Sequence, residues 1–161
     1  MTDDDVAAVL QLNADHVELL APLDAERLAS LRKWAARSDV IQCDGEIAGF
    51  VLVFGPGTDY DSENYRWFTE RFGDRFDYLD RIVIDGRFRR RGLATAVYDA
   101  IEAAAEPRGR LVLEVNIDPP NEPSLAFHRR RGFVEVGQQG PAGHRVSLMA
   151  RTSPPKARDD P

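Results

Sequence analysis

Over residues 3–14 and again over 24–36 the apolar positions recur at helical spacing, with Val6, Val9 and Leu10 in the first stretch and Leu28, Leu31, Trp34 and Ala35 in the second. The pattern predicts two amphipathic helices separated at Pro22. The period then shortens. Residues 40–43 and 47–54 are rich in β-branched and apolar side chains around Asp44-Gly45, a dipeptide suited to a tight hairpin turn, and Gly55-Pro56-Gly57 closes the second run. Residues 78–84 read as a further strand. Gly86 breaks it ahead of a long helix over about 91–106, which Pro107 and Gly109 end. Residues 111–117 form an apolar strand, 121–131 a short helix stopped by Gly132, and 133–136 and 145–149 the last strands. Residues 151–161, with their prolines and scattered charge, predict a disordered tail after a single domain over 1–150. Strands interleaved with helices in this order indicate a mixed sheet with helices packed on it, an α/β or α+β layer structure.

Composition narrows the possibilities. The chain has 161 residues, 43% hydrophobic and 30% charged, which is enough for one domain with a real core. No apolar run reaches the ~18 residues of a membrane span, and the start Met1-Thr2-Asp3-Asp4-Asp5 is acidic where a secretion signal is basic. A soluble, cytoplasmic protein without a membrane partner is expected. The single cysteine, Cys43, precludes an internal disulfide or a cysteine-based zinc site, and three scattered histidines give no ligand spacing, so no metal is expected.

The net charge of −6 argues against a general nucleic-acid binder. Two local exceptions stand out, Arg87, Arg89, Arg90 and Arg91 in one cluster and Arg129, Arg130 and Arg131 in the other, seven of the 21 cationic residues. An arginine run is ordinarily a solvated face. The first run, however, leads through Arg89-Arg90-Arg91-Gly92-Leu93-Ala94-Thr95 straight into a helix. A helix start carries unpaired N–H groups and a positive dipole end, and Gly92 and Ala94 leave its backbone open to a ligand. A diphosphate would fit there, with the arginines adding charge-assisted contacts.

The block Tyr78-Leu79-Asp80-Arg81-Ile82-Val83-Ile84, followed by Arg89-x-x-Gly92-x-Ala94 and its helix, resembles the acetyl-CoA signature of the GNAT superfamily of N-acetyltransferases. Asn121, Ser124, Phe127, His128, Gly132 and Phe133 resemble the same superfamily's second block. Together the two blocks sit in an overlap of roughly residues 3–150. The resemblance implies a mostly antiparallel central sheet with splayed fourth and fifth strands, acetyl-CoA as cofactor and an amine acceptor, either a small molecule or a peptide. It also implies contacts to the pantetheine arm from Ile82, Val83, Ile84 and Asn121, to the diphosphate from Arg89 to Thr95, and further cofactor contacts from Ser124, Phe127, His128 and Arg131. A backbone N–H near Ile82 would serve the oxyanion. The sequence departs from the pattern twice. Only Met1 and Thr2 precede the first helix where the family has a strand, and His128 stands where the family places a tyrosine.

His128 is the candidate acid for the departing thiolate, since histidine can donate as a cation or through a neutral N–H; the alternative is a local helix partner. A base must take a proton from the amine. Asp80 and Glu114, each a charge inside an otherwise apolar strand, are the candidates, with structural ion pairing as the alternative for both. Residues 58–78 hold seven of the fourteen aromatics. Tyr60, Tyr65, Trp67 and Tyr78, with Asp59, Asp61 and Glu63 nearby, would suit a cationic amine. A core-filling helix or a homodimer contact is the alternative use of that segment. Cys43, placed away from the loop and helix by sequence, argues for direct attack over a covalent intermediate. A non-catalytic acyl-CoA sensor and, less favoured, an RNA-contacting module are the other readings.

Overall fold

A computed structural model describes residues 1–16, 18 and 20–153. A 3-10 turn at Asp3–Asp5 leads into α1 (Val6–Ala14), followed by α2 (Ala25–Trp34), β1 (Arg37–Cys43), β2 (Glu46–Phe54), α3 (Glu63–Phe72), β3 (Asp77–Ile84), α4 (Leu93–Ala105), β4 (Arg110–Asp118), α5 (Glu122–Arg130), β5 (Val134–Gln139) and β6 (Arg145–Thr152). The strands form one mostly antiparallel sheet in the order β1-β2-β3-β4-β6-β5. The chain divides into two compact units, the first comprising Met1–Tyr60 and Leu79–Ala100, the second Asp61–Tyr78 and the described residues from Ile101 onward.

In the first unit the β1–β2 hairpin turns at Asp44 and Gly45, with φ of 54° and 81°, and its register shifts between Ile41 and Gln42. Every residue of β2 from Ala48 to Phe54 is buried, so this strand is covered on both faces, by Val9 and Leu12 of α1 and Leu28 and Leu31 of α2 among others. Gly49 is required for this packing. A Cβ at that position would overlap the Val83 carbonyl oxygen of β3, and the Asp85 amide donates to Ala48 O at 2.8 Å just beyond. The first regular element is the 3-10 turn, with no strand before it among the described residues, and the Met1 ammonium donates to Ser38 O of β1 at 3.0 Å.

In the second unit β3 begins parallel to β4, pairing Asp77 with Leu111 and Tyr78 with Val112, while β4–β6 and β5–β6 are antiparallel. Its core gathers Tyr65, Phe68, Phe76, Tyr78, Leu111 and Phe133. Within the aromatic segment Glu63–Phe72 thus forms a core-filling helix. Ser62 caps α3 by accepting the Tyr65 amide on Oγ at 3.2 Å, and the helix turns Tyr65 and Phe68 inward onto Phe76 and Tyr78. The last strand runs to Thr152, past its predicted end at Met149, because antiparallel pairing with β4 continues to Arg110↔Thr152. Of the predicted tail, residues 154–161 lie outside the described residues.

Candidate active site

The turn between β3 and α4 is built by local hydrogen bonds. Asp85 accepts the Arg87 amide on its carboxylate at 2.9 Å, and Phe88 is buried beneath the Arg87 and Arg91 guanidinium groups, 5.2 and 5.4 Å from its ring centroid. Arg90 and Gly92 then take φ of 63° and 75°. Only glycine adopts the second of these without strain. The first helical bond of α4 runs from the Ala96 amide to Gly92 O at 3.0 Å, so the amides of Leu93, Ala94 and Thr95 precede the ladder. Alternating left-handed and helical residues ahead of a helix form the kind of amide-lined concavity that binds anions. Arg89 to Gly92 and Thr95 are exposed, Leu93 and Ala94 half-buried.

Two arginines of the run are already committed. Arg87 pairs with Asp85 at 2.9 Å and Glu46 at 3.3 Å. Arg91 pairs with Asp44 at 2.6 Å and donates to Cys43 Sγ at 3.6 Å. This corrects the sequence placement of Cys43, for the β1–β2 turn carries the thiol up against the loop rather than away from it. Ile82 and Ile84 are half-buried and Val83 is buried.

On the same strand Asp80 is held from both sides. Its Oδ2 accepts from Arg81 Nε at 2.7 Å and its Oδ1 accepts the Tyr60 hydroxyl. Arg81 in turn donates to Asn13 Oδ1 at 2.9 Å, and Asn13 Nδ2 donates to Ala21 O at 3.1 Å, so the network ties β3 to α1. The Asp80 side chain is only 6% exposed. Tyr60 stacks on Phe54 at 4.2 Å and shares the Arg27 guanidinium with Trp34, 5.7 Å from each ring centroid.

The second unit holds the remaining candidates. The Tyr78 hydroxyl donates to the Glu114 carboxylate, 2.8 and 2.7 Å from its two oxygens, and Glu114 is half-buried in the middle of β4. The Tyr65 and Tyr78 rings are buried, 3% and 0% exposed, and the Trp67 indole lies on the backbone of Gly137 in β5, where a Cβ would sit 2.6 Å from Cζ2. These three rings therefore pack the unit, and of the four aromatics expected to meet a substrate Tyr60 is the one placed in the first unit.

Asn121 caps α5, its Oδ1 accepting the Ser124 amide at 3.2 Å. One turn after Ser124, His128 is buried. Its Nδ1 is 2.7 Å from Ser124 O and 3.3 Å from Ser124 Oγ. A backbone carbonyl can only accept, so Nδ1 carries a hydrogen and Nε2 is the nitrogen that gains or loses the second proton. Phe127 and Phe133 meet the imidazole edge-on, each with centroids 5.3 Å away. Burial pushes the His128 pKa below its usual 6.5, with Arg131 adding to the shift, while the bond to Ser124 and the charge of Glu102 oppose it. Arg131 itself forms a two-pronged bond to Glu102, 2.8 Å at each oxygen, and Arg151 contacts the same carboxylate. That triad, which no sequence spacing signals, fastens α4, α5 and β6.

Among the described residues no group of His, Cys, Asp or Glu could hold a metal ion, and no helix is long and apolar enough to cross a membrane. Residues 7–133 match the acetyltransferase (GNAT) family. An uncharacterised N-acetyltransferase from Methanocaldococcus jannaschii is 26% identical over 108 residues, 64% of this chain and 43% of that protein, so the match spans less than half of the relative. The crystal structure of Ard1 from Thermoplasma volcanium is similar with a TM-score of 0.71 at 20% identity, over 94% of this chain and 93% of that one. An aminoglycoside acetyltransferase solved with coenzyme A and kanamycin is similar with a TM-score of 0.71 at 18% identity, over 94% of this chain and 91% of that one. Both likenesses concern the fold.

Proposed function

The chain belongs to the acetyltransferase (GNAT) family, and from that premise we propose that it moves an acetyl group from acetyl-CoA to a primary amine by direct attack in a ternary complex. The observation that carries this reading is the exposed turn of Arg89 to Gly92, with positive φ at Arg90 and Gly92, set against the free amides at the start of α4. This supports a diphosphate site there. Arg89 and Arg90 would add charge, the backbone of Ile82, Val83 and Ile84 would meet the pantetheine arm, and an amide near Ile82 would stabilise the oxyanion. The bound cofactor supplies the thioester.

Glu114 is the proton acceptor in this reading. Tyr78 orients its carboxylate with a hydroxyl donated between both oxygens. Asp80 is less suited, because Arg81 and Tyr60 each claim one of its oxygens, and we assign it to holding β3 onto α1. His128 gives a proton to the leaving sulfur from Nε2, while Ser124 O anchors Nδ1. Cys43 neighbours Arg91 of the turn proposed for the diphosphate, which favours direct attack.

The test is thermal unfolding with and without acetyl-CoA. Selective binding to the folded state raises the wild-type Tm. Gly92→Val, whose new side chain meets no neighbour but is strained at φ 75°, should fold and lose the shift. A wild type without a shift at millimolar acetyl-CoA overturns the cofactor assignment. Binding without thiol release across a broad panel of amines, peptides and aminoglycosides would instead identify an acyl-CoA sensor.

A further inference from the structure

The arginine runs that stand out in the sequence are partly neutralised in the fold, Arg87 by Asp85 and Glu46, Arg91 by Asp44 and Arg131 by Glu102. A third group, which forms no run, is not. Arg71 lies in the last turn of α3, Arg75 follows in the next turn, and Arg110 opens β4, all within the second unit. Two of them meet one ring, and the third follows it in the chain. The Arg110 guanidinium carbon lies 4.1 Å from the Phe72 centroid, that of Arg71 5.9 Å away, and the Arg75 amide donates to Phe72 O at 3.2 Å.

None of the three has an ion-pair partner among the described residues, although Glu70 and Asp74 are their neighbours in sequence. Asp77, the nearby acid at the start of β3, is occupied by Arg108 at 3.0 Å. Burial, and then the charges of Arg75 and Arg71, lower the Arg110 pKa from its usual value. The C-terminal dipole end of α3 favours the charge of Arg71. Like charges gathered without a counter-ion oppose folding, and an acidic protein of net charge −6 has carboxylates to spare elsewhere.

We propose that Arg71, Arg75 and Arg110 form a binding site for a multiply charged phosphate-class anion, made of residues other than those of the turn before α4. Guanidinium edges match phosphate oxygens in pairs, and a phosphoryl group brings the divalent charge that three cations demand, whereas one carboxylate answers only one of them. Arg71 and Arg75 are exposed and so reachable.

Calorimetric titration of tripolyphosphate into protein already saturated with CoA tests this, because the turn before α4 is then occupied. Wild type should bind with an affinity that falls as salt rises, and the Arg71→Gln/Arg75→Gln double variant should bind about tenfold more weakly or worse, the scale of a lost charge-assisted hydrogen bond. A single-stranded oligothymidylate in the same titration identifies the source of the phosphate: loss of its binding in the double variant points to a nucleic-acid backbone, and binding of tripolyphosphate alone to a free anion. Equal affinity in wild type and double variant overturns the proposal. So does the absence of binding, binding seen only without CoA, or binding of poly-glutamate but not of phosphates. Should the protein fail to bind CoA, the proposed function falls, and the arginine comparison still decides this site.

Discussion

If His128 delivers its proton from Nε2, the dependence of kcat/KM for the acceptor on pH has an unusual shape. The reactive state needs an imidazolium and a free amine together. Above the histidine pKa the imidazolium fraction falls tenfold per pH unit, while below the pKa of an alkyl amine, ≈ 10.4, the free-amine fraction rises tenfold per unit. The two slopes cancel. The rate should therefore be flat from the His128 pKa up to about pH 10, decline above it and decline below the plateau. Burial of the ring sets that pKa below 6.5 and so carries the plateau further into acid. The same depression has a stability consequence: His128 contributes fully above about pH 6.5, and its contribution is lost as pH falls through the lower folded value. Folding should be monitored alongside activity. His128→Tyr replaces the donor by a phenol of pKa ≈ 10, protonated throughout, so the plateau should become a climb of tenfold per unit. His128→Phe should climb as steeply from a level roughly 10²-fold lower or more. Thiol release with an alkyl amine, followed from pH 6 to 10, distinguishes these profiles. A wild-type rate that climbs tenfold per unit through this range would refute an imidazolium donor.

Asp80→Asn breaks a buried ion pair and leaves Arg81 uncompensated, so it should lower stability by about 3–5 kcal/mol in urea unfolding, with activity following the folded fraction. Glu114→Gln should instead retain acetyl-CoA affinity and Tm within a few degrees while kcat falls; an unchanged kcat would move the base elsewhere. Gly49→Ala places a methyl against the Val83 carbonyl and should destabilise by about 1–3 kcal/mol, read from the urea midpoint at constant m.

Elements set by local chemistry were legible in the sequence. The Asp44-Gly45 turn, the glycine before α4 and the apolar, β-branched runs of β1 and β2 each depend on residues within a few positions, and the structure follows them to within a few residues. What was hidden depended on distant partners. Residues 58–77 read equally as a surface for a cationic amine or as a core-filling helix or dimer contact, and only the arrival of Phe76 and Tyr78 beside Tyr65 and Phe68 makes the helix a core element. Asp80 could be recognised as a charge needing a partner, but Asn13 and Tyr60, which complete its network, lie 67 and 20 positions away. His128 could be aligned with a motif, yet its tautomer follows from a 2.7 Å bond to Ser124 O that spacing alone does not reveal. Arginine runs in the sequence drew attention to charges of which the fold pairs Arg87, Arg91 and Arg131, whereas the cluster without an ion-pair partner among the described residues is assembled from positions 71, 75 and 110.

The chain has two tryptophans, and the fold gives one to each unit. Trp34 ends α2 beside Arg27 and Tyr60, while Trp67 rests on the backbone of Gly137 and edge-on against Phe68. The indoles thus sit in chemically different surroundings, one under a cation and one against peptide, and will fluoresce differently. Single-tryptophan variants, Trp34→Phe and Trp67→Phe, would turn this into two separate optical reporters. Coincident denaturation midpoints from the two would make the molecule one cooperative folding unit, and separated midpoints would show which half melts first.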